Sequence, residues 1–141
     1  MDKKYWNNYY QNFANDKSIN QPSSFAQFIH NKYLLNKKFN IIELGSGNGR
    51  DAVFFAYHSH HVIALDQSKN AMEVIKKNIN QKISNYFYPK ALDFVLEDYS
   101  KYKKVDMFYS RFSIHSITKK NELELLPKIY NALKDKGLFC I

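Results

Sequence analysis

Three glycines at alternate positions, Gly45, Gly47 and Gly49, separate an apolar run from a stretch of helix-forming residues. Glycine has no Cβ, so the main chain can turn tightly there and lie directly against a ligand. The amide groups that begin the next helix are unpaired and carry the positive end of its dipole, which suits a carboxylate or a phosphate. An acid, Glu43, comes two residues before the first glycine. This spacing predicts a ligand-binding loop between a strand and a helix.

A second apolar run ends in an acid, Asp66, seventeen residues after Gly49. In nucleotide-binding βαβ units, an acid at this place accepts hydrogen bonds from ribose hydroxyls. The dinucleotide fingerprint G-x-G-x-x-G would have its third glycine at position 50, where this chain has Arg50. The spacing therefore disfavours a nucleotide-dependent oxidoreductase, which stays open as the weakest of the alternatives.

The pattern E-x-G-x-G-x-G, from Glu43 to Gly49, resembles motif I of the class I S-adenosyl-L-methionine (SAM) methyltransferases. The resemblance covers residues 1–141 and is specific at residues 43–51, 61–67 and 94–99. It implies a Rossmann-like fold, SAM as the cofactor and S-adenosyl-L-homocysteine as its product. The implied cofactor site consists of Glu43, Gly45, Ser46, Gly47, Asn48, Gly49, Arg50, Asp66, Gln67, Asp98, Tyr99 and Ser110.

The resemblance also implies a role for individual side chains. Glu43 would orient the glycine loop or the ammonium group of SAM, and Asp66 would accept from the ribose hydroxyls. Gln67 would lie beside the adenine. Asp98, at the exit of a predicted third strand, matches the family's acid that accepts from the adenine amino group. Ser110 lies where the family's fourth loop flanks the methyl donor and the acceptor.

An arginine and a histidine follow the predicted fourth strand, in the run Tyr-Ser-Arg-Phe-Ser-Ile-His at residues 109–115. Arg111 and His115 are the candidate catalytic residues, because they suit bidentate contact and proton transfer with a small anionic acceptor. The Asn-Pro-Pro-aromatic loop typical of amino-methylating nucleic-acid enzymes is not present. The run is similar to methyltransferases associated with bacterial surface-polysaccharide modification. The predicted function is methyl transfer to a small polar or carbohydrate-linked acceptor, and the alternative is a SAM-binding fragment without catalysis.

Composition narrows the choice of partners and compartment. The net charge is +8, but the lysines occur mostly singly or in pairs, so we do not expect a nucleic-acid partner. Residues 1–20 have no apolar core like that of a signal peptide, and no uninterrupted apolar stretch of the sequence could span a bilayer. Cys140 is the only cysteine, which favours the reducing cytoplasm. His58, His60 and His61 lack accompanying acids or cysteines, so no metal site is predicted.

Short apolar strands alternating with amphipathic helices predict one α/β domain over residues 1–141, a three-layer sandwich around a mostly parallel sheet. Residues 1–36 form N-terminal helices that could act as a lid, and residues 39–141 form the Rossmann-like core. The resemblance implies the strand order 3-2-1-4-5. The predicted strands are at about 40–44, 61–65, 93–96, 105–109 and from 138 onward. The predicted helices are at 3–14, 24–36, 49–58, 68–80 and before Gly137, the last kinked or broken at Pro127.

The sequence stops inside the predicted fifth strand, whereas the family's sheet normally continues with a helix and two more strands. We expect a fragment of a longer protein that lacks these elements. The fifth strand would then be an apolar edge with unpaired backbone groups. This predicts association through residues 138–141, for example as a homodimer.

Overall fold

The computed structural model describes residues 4–5, 8–9, 21–102 and 104–141. The helices and strands follow in the order α1 Ser24–Ile29, β1 Asn40–Leu44, α2 Arg50–Tyr57, β2 His61–Asp66, α3 Lys69–Asn78, β3 Phe87–Ala91, β4 Val105–Tyr109, α4 Lys119–Ala132 and β5 Leu133–Cys140. A π-helical segment, His30–Leu34, continues α1, and 3₁₀ turns form at Tyr99–Lys101 and Ile114–Ser116. The predicted helix over residues 3–14 lies mostly outside the described residues, so the lid stays a prediction.

The five strands form one parallel sheet in the order β3-β2-β1-β4-β5, which confirms the predicted order and fold class. The strand β1 is central, with Glu43 opposite Ala64 of β2 and opposite Tyr109 of β4. The carboxyl ends of these strands therefore meet at one end of the sheet, where ligands of open α/β sheets bind. This register brings the glycine loop, Asp66 and the exit of β4 together.

Successive strand residues enter two separate cores, one on each face of the sheet. Ile41 belongs to the core shared with α1, α2 and α3, whereas Ile42 belongs to the core shared with α4. Helices therefore cover both faces, as in a three-layer α/β sandwich. The strand β5 is an edge of the sheet, and association through it stays a prediction. No helix in the described part of the chain is both long and apolar enough to cross a bilayer.

The predicted position of the third strand is wrong, because β3 spans Phe87–Ala91 and not residues 93–96. Proline cannot donate to a sheet, so Pro89 argues for a loop in the sequence. Among the described strands, however, β3 pairs with β2 alone, and an edge strand tolerates proline. Phe94 and Val95, which gave the apolar signal, are buried in a turn within the core shared with α4.

The predicted end of the last helix at Gly137 is also wrong, because α4 ends at Ala132. The helix contains Pro127 in its interior and shows no break there, contrary to one form of the prediction. Leu125 and Ile129 on either side of the proline are buried against the sheet. This packing holds the helix together across the residue that lacks an N–H donor.

The chain passes from α4 directly into β5 and then bulges outward. Leu133 pairs with Val105 of β4, and Leu138 pairs with Met107. One residue of β4, Asp106, thus lies between these two pairs, whereas four residues of β5, 134–137, lie between them. Lys136 within this bulge has a positive φ of 60°. The strand begins early because Leu133 pairs with β4 at once, so Gly137 lies inside the bulge and does not terminate the helix.

Three histidines meet where α1, the end of α2 and the start of β2 come together. The Nδ1 atom of His60 accepts from the Phe39 N–H (3.2 Å), so a neutral His60 carries its proton on Nε2, which lies 3.4 Å from His30 Nδ1. The rings of His30 and His58 are 4.0 Å apart. His61, the third histidine of the sequence cluster, contacts Tyr86 instead. The described residues contain no group of three or more potential ligands that could hold a metal.

We expect the contribution of His60 to the free energy of unfolding to decrease as the pH falls below 6.5. Burial first, and then the charges of His30 and His58, lower the pKa of His60 to about 4. Between pH 6.5 and 4, His60 is therefore protonated in the unfolded chain but neutral in the folded chain. This difference lowers the free energy of unfolding by at most about 3 kcal/mol. Above pH 6.5, His60 is neutral in both states and the loss does not occur. Urea unfolding at pH 7.5 and 4.5, compared between the parent chain and a His60 variant, isolates this loss from the opposite effect of Glu43 and Asp66, whose pKa values are raised.

The variant His60→Gln should lose part of this pH dependence, since the group that titrates is gone. His61→Gln is the matched control, because His61 is exposed and its removal should leave the pH dependence unchanged. An identical pH dependence in His60→Gln and the parent chain would show that other groups cause the loss.

Candidate functional site

The loop between β1 and α2 has left-handed backbone at each glycine, with φ of 70° at Gly45, 56° at Gly47 and 77° at Gly49. Two of these positions also have no room for a side chain. A Cβ on Gly45 would lie 2.2 Å from Ser113 Oγ, and a Cβ on Gly49 would lie 2.6 Å from Ile75 Cγ1. The glycines therefore fix the path of the loop and allow it to pack closely against its neighbours.

Asp66 holds the glycine loop in place from the end of β2. One carboxylate oxygen accepts from the Gly47 N–H (2.9 Å), and the other accepts from the Ser68 N–H (2.8 Å). Burial raises the pKa of Asp66, and the two backbone hydrogen bonds offset part of that rise. The Leu65 carbonyl also accepts from the N–H groups of Gly45 and Ser46. The structure thus joins the two motifs that the sequence placed seventeen residues apart.

Three buried side-chain atoms in the described part of the chain have no hydrogen-bond partner: Glu43 Oε2, Ser46 Oγ and Gln67 Nε2. All three belong to predicted cofactor residues that follow or end β1 and β2. Burial raises the pKa of Glu43 well above its ordinary value, and the negative charges of Asp51 and Asp66 add to the rise. Buried polar atoms normally have partners. These atoms therefore indicate a site for a polar ligand.

Sequence reasoning missed a buried cluster of hydrogen bonds beside the loop. The Asp51 carboxylate accepts from the Ser23 N–H and from the Ser23 hydroxyl, both at 2.7 Å, and from the Tyr109 hydroxyl at 2.8 Å. Arg50 lies 3.9 Å from the same carboxylate. These contacts fasten the start of α1 to α2 and to the end of β4. The acid next to Arg50 was a visible signal, but its partners are 28 and 58 residues away.

The exit of β4 is fastened to the end of β1 and the glycine loop. The Ser110 hydroxyl donates to the Leu44 carbonyl (3.3 Å), and the Ser113 hydroxyl donates to the Gly45 carbonyl (3.2 Å). The structure therefore places Ser110 in the predicted region, with its hydroxyl engaged by the protein. Asn48 is buried within the glycine loop.

A cavity of about 490 Å³ opens at the exit of β4. It is lined by Phe25, Ser110, Arg111, Phe112, Ile114, His115, Glu122 and Ile141. The structure thus brings Arg111 and His115 to one cavity, His115 exposed on a 3₁₀ turn. Among the described residues, no carboxylate lies within 4.0 Å of Arg111, whose guanidinium carbon lies 4.3 Å from the ring centre of Phe112.

The placement of Asp98 at the exit of the third strand is wrong, because β3 ends seven residues earlier, at Ala91. Asp98 is exposed and accepts from the N–H (3.0 Å) and hydroxyl (2.7 Å) of Ser100, and these bonds lower its pKa. The Tyr99 hydroxyl donates to the Phe94 carbonyl within the core shared with α4. The residues that do follow β3 begin with Leu92, whose N–H donates to the Asp66 carbonyl (2.8 Å).

A parallel sheet with a glycine loop after its central strand and a carboxylate after the neighbouring strand defines the Rossmann-like class of nucleoside-binding domains. Residues 41–137 match the model of the methyltransferase domain family, and the chain belongs to that family. A comparison with curated proteins finds no match.

Solved structures share the fold at low sequence identity. The glycopeptide N-methyltransferase MtfA complexed with SAM gives a TM-score of 0.72 at 17% identity, over 84% of this chain and 53% of that one. The CcbJ methyltransferase from Streptomyces caelestis gives a TM-score of 0.80 at 14% identity, and the match covers 99% of this chain and 57% of that one. A third structure is the Burkholderia thailandensis 1,6-didemethyltoxoflavin-N1-methyltransferase with bound 1,6-didemethyltoxoflavin and S-adenosylhomocysteine. It gives a TM-score of 0.74 at 16% identity, and the match covers 97% of this chain and 58% of that one. The chain thus spans between 53% and 58% of the length of these structures.

Proposed function

We propose that the chain binds SAM at the carboxyl ends of β1 and β2 and transfers its methyl group to a small polar acceptor. The observation that carries this proposal is the set of buried polar atoms without a partner on Glu43, Ser46 and Gln67. A bound ligand would supply those partners. The family of the chain, and the SAM or S-adenosylhomocysteine held by proteins of the same fold, support SAM as that ligand.

The residues at the site suit this cofactor. A carboxylate offers about four lone-pair sites, and Asp66 uses two of them for Gly47 and Ser68, which leaves others for ribose hydroxyls. The unpartnered oxygen of Glu43 suits a cationic group such as the SAM ammonium. Ammonium binding would also offset the neighbouring negative charges that raise the pKa of Glu43.

Methyl transfer from SAM depends on the alignment of donor and acceptor more than on reactive side chains. When bound, SAM supplies a methyl group whose bond to the sulfonium breaks as its bond to the acceptor forms, with the electron pair left on sulfur. The protein's part is to hold donor and acceptor in line, and such positioning can supply about 7–11 kcal/mol of the barrier. The fastening of the β4 exit to the glycine loop through Ser113 and Gly45 supports this role.

Arg111 and His115 are proposed to serve the acceptor. Arg111 has no carboxylate partner among the described residues and can hold an anionic group. His115 at the mouth of the cavity can take the proton of a hydroxyl nucleophile when its imidazole is neutral. A carbohydrate-linked acceptor of a surface-polysaccharide enzyme rests on the likeness of residues 109–115 alone. A cytoplasmic location fits the single cysteine of the sequence, Cys140, because an unpaired thiol is usual in a reducing compartment.

Thermal unfolding with added ligand tests the cofactor assignment. SAM at a hundred times its dissociation constant should stabilise the chain by about 2.7 kcal/mol, which corresponds to a melting temperature higher by about 5 °C or more. NAD at the same concentration should leave the melting temperature unchanged. A shift with NAD and none with SAM would replace this proposal with the oxidoreductase alternative. A shift with SAM but no turnover on a panel of acceptors would identify a SAM-binding fragment.

A further inference from the structure

The cavity at the exit of β4 presents an exposed aromatic ring on a strained backbone. Phe112 is 66% exposed, although apolar rings of this size are usually covered. Its φ is 60°, a left-handed conformation that is uncommon for a bulky residue. Strain of this kind persists where the surrounding structure enforces it, and it clusters at ligand sites. The left-handed residue thus places an exposed aromatic ring in the lining of the cavity.

Two basic side chains contact the ring. The guanidinium of Arg111 lies over the Phe112 ring, and His115 meets the same ring edge-on with centres 5.8 Å apart. Glu122, the acid that lines the cavity, pairs with Lys119 at 3.1 Å. No carboxylate among the described residues lies within 4.0 Å of Arg111.

A second aromatic ring in the lining of the cavity, Phe25, is held in place by its neighbours. Phe25 stacks on Tyr109 with ring centres 5.4 Å apart, and Tyr109 is fixed by its hydrogen bond to Asp51. A sugar ring would need several free hydrogen-bond partners, whereas half of the lining residues are apolar and the Ser110 hydroxyl is already engaged. A planar ring can instead pack on aromatic walls and leave its polar group for Arg111.

We infer that the cavity selects a planar aromatic acceptor that carries an anionic group. The ring would pack on Phe112 and Phe25, and the anion would bind Arg111 through two parallel hydrogen bonds. This inference rests on the proposed function, because it names the acceptor class of the same site. It makes planarity and charge two separable requirements.

Ligand-observed NMR titrations of the 141-residue chain, with and without S-adenosylhomocysteine, test both requirements. The probes are 2-naphthoate, its saturated analogue decahydro-2-naphthoate, and the neutral 2-naphthalenemethanol. We expect 2-naphthoate to bind about three- to tenfold more tightly than the saturated acid, since stacking and cation–π contacts have that magnitude. Phe112→Leu should reduce this ratio clearly below that of the parent chain, with Phe25 still in place, while the saturated acid still binds. Arg111→Gln should weaken both acids about tenfold and leave the alcohol unchanged.

Phe28→Leu is the matched control, since Phe28 is a 51% exposed aromatic that does not line the cavity. It should keep the parent ratio. Equal binding of the planar and saturated acids, or an unchanged ratio in Phe112→Leu, would overturn the inference. If S-adenosylhomocysteine binds but none of the three probes does, the inference is also overturned. The proposed function would still stand in that case. Selective binding of 2-naphthoate without any binding of S-adenosylhomocysteine would instead support the acceptor class and defeat the cofactor assignment.

Discussion

Replacing Gly49 with alanine should lower the free energy of unfolding by about 2–5 kcal/mol. The first cause is the backbone, because φ at Gly49 is 77° and a residue with a Cβ is disfavoured there by about 1–2 kcal/mol. The second is space, since the added Cβ would lie 2.6 Å from Cγ1 and 2.8 Å from Cδ1 of Ile75. Ile75 is fully buried in the core of α1, α2 and α3, where overpacking costs about 1–3 kcal/mol.

A double-mutant cycle in urea separates the two causes. Ile75→Ala alone should cost about 2–5 kcal/mol through the cavity that it leaves. The added methyl of Gly49→Ala would partly fill that cavity, so the double variant should be less destabilised than the sum of the single variants by about 1–2 kcal/mol. The backbone strain at residue 49 would destabilise the Gly49→Ala variant and the double variant alike. Additive effects would show that the contact between the loop and α3 is not what excludes a side chain at Gly49.

Replacing Asp66 with alanine should weaken the binding of SAM by about a hundredfold or more. Hydrogen bonds from ribose hydroxyls to a charged carboxylate contribute about 1.5–3 kcal/mol. The same change leaves the N–H groups of Gly47 and Ser68 without their acceptor, and each unpaired buried group costs about 1–3 kcal/mol. The loop that should hold the cofactor therefore loses its support together with its ligand contact.

Isothermal calorimetry with SAM measures the loss, and circular dichroism checks that the variant is folded. Asp66→Asn should have an intermediate affinity, because an amide keeps one acceptor oxygen but not the charge. Asp135→Ala, in the exposed bulge of β5, removes the same charge and should leave the affinity unchanged. Parent-like affinity in a folded Asp66→Ala variant would mean that the cofactor binds elsewhere.

The elements that the sequence predicted well are those with strong local signals. The strands β1 and β4 have their predicted bounds, and β2 is one residue longer, because each is an apolar run buried on both faces. The predicted start of α3 at residue 68 is confirmed by Ser68, which caps the helix with its hydroxyl accepting from the Ala71 N–H at 3.2 Å. The strand β3 was misplaced because tolerance of Pro89 depends on its position at the edge of the sheet, which local sequence does not reveal. The misplaced strand then shifted Asp98 to an exit that it does not occupy.

The sequence by itself determined the binding loop, since left-handed turns select glycine at 45, 47 and 49 and an apolar strand leads to Asp66. These features depend on neighbours a few residues apart. Which side chains surround the loop depends on the tertiary fold, because these side chains come from distant parts of the sequence. The hydrogen bonds of Asp51 to Ser23 and Tyr109 span 28 and 58 residues, and the close fit of Gly45 against Ser113 spans 68. Such contacts are fixed by the order of strands in the sheet and by packing across it, so no local pattern encodes them.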